Sequence, residues 1–230
     1  MKQIKFSICT ASLFMLMSCV DLNLNPLSEG SSENWYSSQA EIEMSLNDFY
    51  RTDFFPIDDM KWGDDVTARN ETSAVNNGTL TSEDGTIAKR WENYYKGIAR
   101  ALRIINNMDR ARAMGVSEKD IAQYEGEAYF YLGYAYGMLA FHWGDAILDK
   151  VGMSLDEAYT ASRSPKADVL AYSYECLDKA AERLPNSYPG IQRATKGAAY
   201  AFKARIAIYN EDYAAAATAA KNCMDLNVYK

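Results

Sequence analysis

Histidine is almost absent from this chain of 230 residues, which contains one histidine, four cysteines and five prolines. The single histidine, His142, excludes a metal site built from several imidazoles. Because it stands between Phe141 and Trp143 at the predicted end of a helix, we interpret it as a packing residue rather than as a base or a ligand. No histidine and cysteine spacing is typical of a metal site, so the sequence predicts no metal.

The residue patterns of common catalytic sites are also missing. The sequence has no nucleophile elbow, no phosphate-binding glycine loop and no dinucleotide-binding glycine pattern, so we expect no cofactor. Acidic pairs at 58–59 and 64–65 would suit a glycosidase only if two carboxylates faced each other across a sugar. A solvated acidic loop is the simpler interpretation, and we expect a protein that is not an enzyme.

Positive charge is in deficit, with 24 lysines and arginines against 31 aspartates and glutamates and a formal net charge of -7. Nucleic-acid binding depends on basic side chains that neutralise phosphates, so no nucleic-acid partner is expected. Aromatic residues are plentiful instead, with 17 tyrosines, eight phenylalanines and four tryptophans. This composition favours an exported globular chain that binds a partner.

The first 18 residues have the composition of a secretory signal peptide. Lys2 and Lys5 precede an apolar stretch over 6–17 that contains no acidic residue. This stretch is shorter than the roughly 20 apolar residues that a membrane-spanning helix needs. The pattern therefore predicts a signal peptide over 1–18 that is removed.

The signal peptide ends at a cysteine. The stretch Leu16-Met17-Ser18-Cys19 is similar to a bacterial lipobox, in which the cysteine is acylated and becomes the first residue. Two or more acyl chains anchor a protein much better than one. We predict lipidation of Cys19 and a lipidated tether over 19–32. An ordinary secreted protein with a chance cysteine is the alternative.

Helical periodicity dominates the remaining domain, 33–230. Apolar residues recur there at intervals of three and four, which is typical of amphipathic helices. The predicted helices cover 33–50, 91–108, 118–139, 165–184, 196–209 and 213–226. Ser117 and Thr195 are predicted N-caps, and Pro165 is predicted at the first helical position. Cys176 and Cys223 lie on apolar helix faces, so we expect buried free thiols.

Two similar segments, 126–131 and 197–202, lie 71 residues apart. This offset is close to twice the roughly 34-residue period of tetratricopeptide repeats. The predicted fold is therefore all-α, a right-handed stack of tetratricopeptide-like helix pairs with long irregular loops.

A long irregular segment over 51–85 is rich in turn signals. Loops of this length are usually functional or disordered, and we take 51–90 as the candidate ligand loop. It contains aromatic rings that can stack on a sugar and polar side chains that can bind hydroxyl groups. The candidate ligand-binding residues are Phe54, Phe55, Trp62, Asp65, Arg69, Asn70, Asn76 and Asn77.

Ordered motifs along the whole chain resemble the SusD/RagB family of nutrient-binding outer-membrane lipoproteins. The matching stretches are CVDLNLNP, WENYYKGIARALRIINN, GEAYFYLGYAYGMLAFHWGDAIL, SRSPKADVLAYSYECLDKAAERLP and ATKGAAYAFKARIAIYNEDYAAAATAA. The family usually has Val-Pro or Thr-Pro where Ala146-Ile147 stands here. Family members also continue well beyond the final LNVYK, so we expect an amino-terminal, truncated part of such a protein.

The resemblance implies a function. SusD-like proteins lie at the cell surface of Bacteroidota, anchored by lipid in the outer membrane, and serve polysaccharide utilization. They bind glycans, sometimes peptides, and deliver them to a SusC-like TonB-dependent transporter without breaking a bond. Two alternatives are a helical-repeat interaction module that binds no ligand, and a non-functional fragment. In the fragment, an apolar face formed by Ile206, Tyr209, Ala220 and Cys223 would be exposed.

Overall fold

The computed structural model describes residues 35–56 and 74–228, and the regular elements in these ranges are helical. Eight α-helices lie there in chain order: α1 Gln39–Asn47, α2 Gly85–Asn106, α3 Met108–Ala113, α4 Glu118–Trp143, α5 Leu155–Thr160, α6 Lys166–Arg183, α7 Lys196–Tyr209 and α8 Tyr213–Asp225. A 3-10 turn, Asp48–Tyr50, follows α1. This confirms the all-α prediction. None of the described helices is both long and apolar enough to span a bilayer.

Local capping signals start several helices where the sequence predicts. The hydroxyl group of Ser117 accepts the Asp120 N–H at 3.2 Å, and that of Thr195 accepts the Ala198 N–H at 3.1 Å. The first helix begins later than predicted, at Gln39, because a capping box formed by Ser38 starts it there. Each cap supplies an acceptor for an N–H that the helix itself cannot pair.

Two predictions about the segment before α6 were wrong or incomplete. Pro165 precedes the helix instead of starting it, and the first N–H of α6, from Lys166, donates to the Asp145 carboxylate at 2.8 Å. The short helix α5 was not predicted, because none of its residues is buried and it therefore has no apolar period.

The α2 helix begins at Gly85, so the irregular part of the candidate ligand loop ends at Asp84.

The segment between α4 and α6 is closed at its base. Ala146 and Ser164 exchange two backbone hydrogen bonds of 3.2 and 2.8 Å as an isolated antiparallel bridge. Inside the segment, the Asp149 carboxylate accepts the N–H groups of three following residues at 2.7 to 3.0 Å. These contacts fix the chain after the Gly144 turn, where Ala146-Ile147 departs from the dipeptide usual in the family.

The α4 helix lies at the centre of the compact unit formed by the described residues 36–56 and 74–228. It packs along α6 and α2 and also contacts α7, α1 and α3. Sixteen of its residues are buried, so neighbouring helices surround this aromatic-rich helix. Glycines allow the closest approaches: a Cβ at Gly133 would lie 2.9 Å from the Ser173 carbonyl oxygen, and one at Gly137 would lie 2.5 Å from Ile206.

The last two helices form a hairpin through a tight turn at 210–212, where Glu211 has a positive φ of 63°. The predicted exposed face on this hairpin was partly wrong, because Ile206 is 1% exposed and packs against Gly137. Tyr209 and Ala220 are exposed. Cys176 is a buried free thiol as expected, whereas Cys223 is free but only half-buried.

Candidate functional site

The residues predicted to bind ligand are only partly within the described ranges. Cys19 and four loop residues, Trp62, Asp65, Arg69 and Asn70, lie outside them, as do the acidic pairs. Asn76 and Asn77 are exposed at a turn in which the Gly78 N–H donates to the Val75 carbonyl oxygen at 3.1 Å. Of the eight candidate ligand-binding residues, the structure therefore presents Asn76 and Asn77 to solvent.

Phe54 and Phe55 do not form the sugar platform that the sequence predicted. Phe54 is 3% exposed, and its ring meets that of Tyr131 edge-on at 5.8 Å. The ring of Phe55 lies 4.5 Å from Tyr134 and 6.0 Å from Phe130, both on α4. Because side chains of the helical body pack against both rings, these two phenylalanines anchor the start of the loop to that body.

A different group of rings lies at the surface. Six aromatic side chains from three helices follow one another with centroid separations between 4.8 and 5.5 Å. In spatial order this aromatic row consists of Tyr95, Trp91, Trp143, His142, Phe141 and Tyr209. Phe141 and Tyr209 are each 42% exposed, and the other four rings are half-buried. The aromatic row is therefore both anchored in the body and accessible.

The helix geometry explains how the aromatic row forms. Trp91 and Tyr95 are one turn apart near the start of α2, so their side chains share a face. Three consecutive rings, 141–143, form the last turn of α4, and Tyr209 is the last residue of α7. The helix α4 ends because Gly144 adopts a positive φ of 75°, a conformation that glycine accepts without strain.

Polar groups flank one end of the aromatic row. The guanidinium carbon of Arg163 lies 5.0 Å from the centre of the Trp91 ring, a cation-π contact. The hydroxyl group of Tyr95 donates to the Ile147 carbonyl oxygen at 2.9 Å, and burial raises the pKa of Tyr95 to about 12. Tyr95 is therefore neutral at physiological pH, and the exposed side chain of Arg163 provides hydrogen-bond donors beside the rings.

The chemistry of the aromatic row is that of binding. Partly exposed rings can pack against the C–H groups of a sugar, and Arg163 can donate to hydroxyl groups. In the described ranges no three histidine, cysteine, aspartate or glutamate side chains are grouped to hold a metal ion. The ring of His142 contacts Phe141 at 4.8 Å and Trp143 at 5.5 Å, as expected for a packing residue.

The sequence prediction missed the aromatic row because its rings come from three separate segments. The only local signal was the run Phe141-His142-Trp143 before Gly144, which we used as a family motif and not as a site.

Comparison with known proteins identifies the family. The family described as "Starch-binding associating with outer membrane", SusD-like, matches residues 30–208. The chain belongs to the SusD-like family. It therefore belongs to a family of outer-membrane-associated proteins, as its motifs indicated.

SusD-like relatives are longer than this chain. "SusD-like protein P2" of Formosa agariphila is 24% identical over 91% of this chain, and the match covers 44% of that protein. A solved SusD homolog from Bacteroides thetaiotaomicron superposes with a TM-score of 0.72 at 20% identity, covering 88% of this chain and 44% of that one. Another solved structure, described as containing a xylogluco-oligosaccharide, has a TM-score of 0.63 at 18% identity and covers 80% and 40%. This SusD-like chain thus spans less than half the length of each of these three relatives.

Proposed function

We propose that this SusD-like chain is a surface-exposed, lipid-anchored outer-membrane protein that binds oligosaccharides and delivers them to a SusC-like TonB-dependent transporter. The observation that carries the binding proposal is the aromatic row, whose half-exposed rings lie beside the Arg163 guanidinium. The family description names starch, and one structural relative is described with a xylogluco-oligosaccharide, which supports a glycan ligand.

The loop residues enter the proposal as the sequence predicts them. Trp62 is proposed as a stacking ring, and Asp65, Arg69, Asn70, Asn76 and Asn77 are proposed to bind sugar hydroxyls. Lipidation of Cys19 anchors the protein to the membrane, and the tether over 19–32 separates the helical body from the lipid. The intact mass of protein from the native outer membrane tests this anchor, since acyl chains on Cys19 add a defined mass.

Calorimetric titration with maltoheptaose and with a xyloglucan oligosaccharide tests sugar binding. We expect Phe141→Ala and Tyr209→Ala to weaken binding by about tenfold each, equivalent to ~1.4 kcal/mol, because each removes an accessible ring. Tyr159→Ala is the matched control, since Tyr159 is 81% exposed on α5 and is not part of the aromatic row. If no glycan binds, the proposed function is wrong.

Two further measurements separate the parts of the proposal. Loss of binding in Trp62→Ala alone, with Phe141→Ala unchanged, would move the site from the aromatic row to the loop. Copurification with a SusC-like transporter, together with glycan uptake by cells, tests delivery. Copurification without any glycan binding would favour the interaction-module alternative.

A further inference from the structure

Arg163 carries a positive charge that no described carboxylate neutralises. Its guanidinium carbon lies 5.0 Å from the centre of the Trp91 ring, near one end of the aromatic row. Within residues 35–56 and 74–228, no carboxylate lies within ion-pair distance of this guanidinium. A guanidinium has five N–H donors and no acceptor, and a cation-π contact uses none of these donors. The donors of Arg163 are therefore available beside the rings.

Three carboxylates of the segment between α4 and α6 are engaged by other groups. The Asp145 carboxylate accepts the Lys166 N–H at 2.8 Å, and the Asp149 carboxylate accepts three N–H groups at 2.7 to 3.0 Å. The Glu157 carboxylate accepts the Ser154 N–H at 2.8 Å. These side chains cap helices or hold a turn, so their chemistry is spent on the backbone and not on Arg163.

The position of Arg163 is fixed before any ligand binds. The next residue, Ser164, exchanges two backbone hydrogen bonds with Ala146, and the Trp91 ring packs against the guanidinium. Burial raises the pKa of Tyr95 to about 12, and the positive charge of Arg163 opposes this rise, so the charge also reaches the Tyr95 hydroxyl group. A group that is already ordered loses less conformational entropy when it binds a ligand.

An unpaired guanidinium beside aromatic rings can distinguish acidic sugars from neutral sugars. A carboxylate presents two oxygens in one plane, and these match two parallel N–H donors of a guanidinium. A sugar hydroxyl group presents one neutral oxygen. Hydrogen bonds between two charged groups are roughly twice as strong as those between neutral groups.

We propose that the Arg163 end of the aromatic row binds the carboxylate of a uronic acid, so that the preferred ligand of this site is an acidic oligosaccharide. The other sugar units of the ligand pack along the rings towards Phe141 and Tyr209, and the acidic unit pairs with Arg163. This inference rests on the proposed binding of glycans at the aromatic row.

Calorimetric titration of the full chain with two matched pairs of probes tests the inference. One pair is tetragalacturonate and its methyl ester, which keeps the sugars and removes the charge. The other is xylotriose bearing one glucuronic acid, and xylotetraose. We expect the acidic member of at least one pair to bind at least about tenfold more tightly than its neutral match. Arg163→Gln should bring that ratio to within about threefold of one, because it removes the charge.

Arg103→Gln is the matched control. Arg103 is another exposed arginine, about 18 Å farther along α2 than Trp91 at 1.5 Å per residue, and its replacement should leave the ratio unchanged. Circular dichroism checks that each variant keeps its helices. A preference for the acidic probe that Arg163→Gln retains would overturn the inference.

The result with neutral sugars separates this inference from the proposed function. If maltoheptaose or another neutral probe binds and neither acidic probe binds more tightly than its match, the inference fails and glycan binding stands. If no probe binds, acidic or neutral, both are wrong.

Discussion

The Arg193 guanidinium donates a hydrogen bond of 2.7 Å to the Glu127 carboxylate, although the Glu127 side chain is only 1% exposed. The hydroxyl group of Tyr50 donates to the same carboxylate oxygen at 2.9 Å and accepts the Ala194 N–H at 2.9 Å. Arg193 also bonds Asn47 at the end of α1. This network joins the loop between α6 and α7 to the end of α1 and the centre of α4.

Removing the cation of this network should be costly. We expect Arg193→Ala to lower the free energy of unfolding by about 3–5 kcal/mol, because it leaves the buried Glu127 carboxylate without its counter-charge. Urea denaturation measures this change. Lys221→Ala breaks an ion pair whose side chains are 73% and 60% exposed, and it should change stability by less than about 0.5 kcal/mol. Equal effects for the two substitutions would contradict a structural role for the buried pair.

The Tyr50 hydroxyl group can be tested separately from its ring. We expect Tyr50→Phe to cost about 1–3 kcal/mol of stability, because the Ala194 N–H loses its acceptor and the Glu127 carboxylate loses a donor. Thermal or urea unfolding measures the cost. Tyr159→Phe removes a hydroxyl group from an exposed ring and serves as the control. A loss smaller than that of the control would show that water replaces the hydroxyl group at no cost.

The network should also give stability a pH dependence. Burial raises the pKa of the Glu127 carboxyl above its ordinary value of 4.5, against the lowering effect of Arg193. The folded protein therefore holds this proton more tightly than the unfolded chain. The resulting stabilisation is fully present below pH 4.5 and is lost as the pH rises through the folded-state pKa.

Glu127→Gln removes this titration. We expect the unfolding free energy of the original chain minus that of the variant to fall as the pH rises from about 4.5 towards neutral, by less than ~1.4 kcal/mol per pH unit. Urea denaturation at a series of pH values and constant ionic strength measures the slope. A difference that rises with pH would mean that Arg193 outweighs burial.

The contact between α4 and α6 depends on the absence of a side chain at Gly133. A Cβ there would lie 2.5 Å from Leu177 and 2.9 Å from the Ser173 carbonyl oxygen, which is backbone and moves only with the helix. We expect Gly133→Ala to destabilise the protein by about 1–3 kcal/mol or more. Gly85→Ala is the matched control, because a Cβ at Gly85 meets nothing within 4 Å. Chemical denaturation of both variants checks the difference.

The sequence predicts those features that depend on neighbouring residues. Ser117 and Thr195 cap helices because a hydroxyl group three residues before an N–H is sufficient for the bond, whatever surrounds it. The observed start of α1 at Gln39 lies several residues after the predicted start, because the capping box at Ser38 determines where the helix begins.

Features that depend on distant segments could not be predicted in the same way. Phe55 is covered by rings of α4 and α7, and Ile206 fills the space that Gly137 leaves on another helix. The pairing of Phe141 with Tyr209 also requires two helices to end at the same place. A single sequence contains these rings and glycines, but the packing of the helices decides which of them come into contact.

The bridge between Ala146 and Ser164 joins the two ends of the chain segment between them, so this segment is a closed loop. Lengthening it near α5, where no residue is buried, should alter little else, since doubling a flexible loop costs only about 0.6 kcal/mol. Exposed positions around α5 are therefore suitable for inserting an epitope or a fluorescent reporter. Because the two ends stay joined, such an insertion should leave the helices on either side of the loop in place.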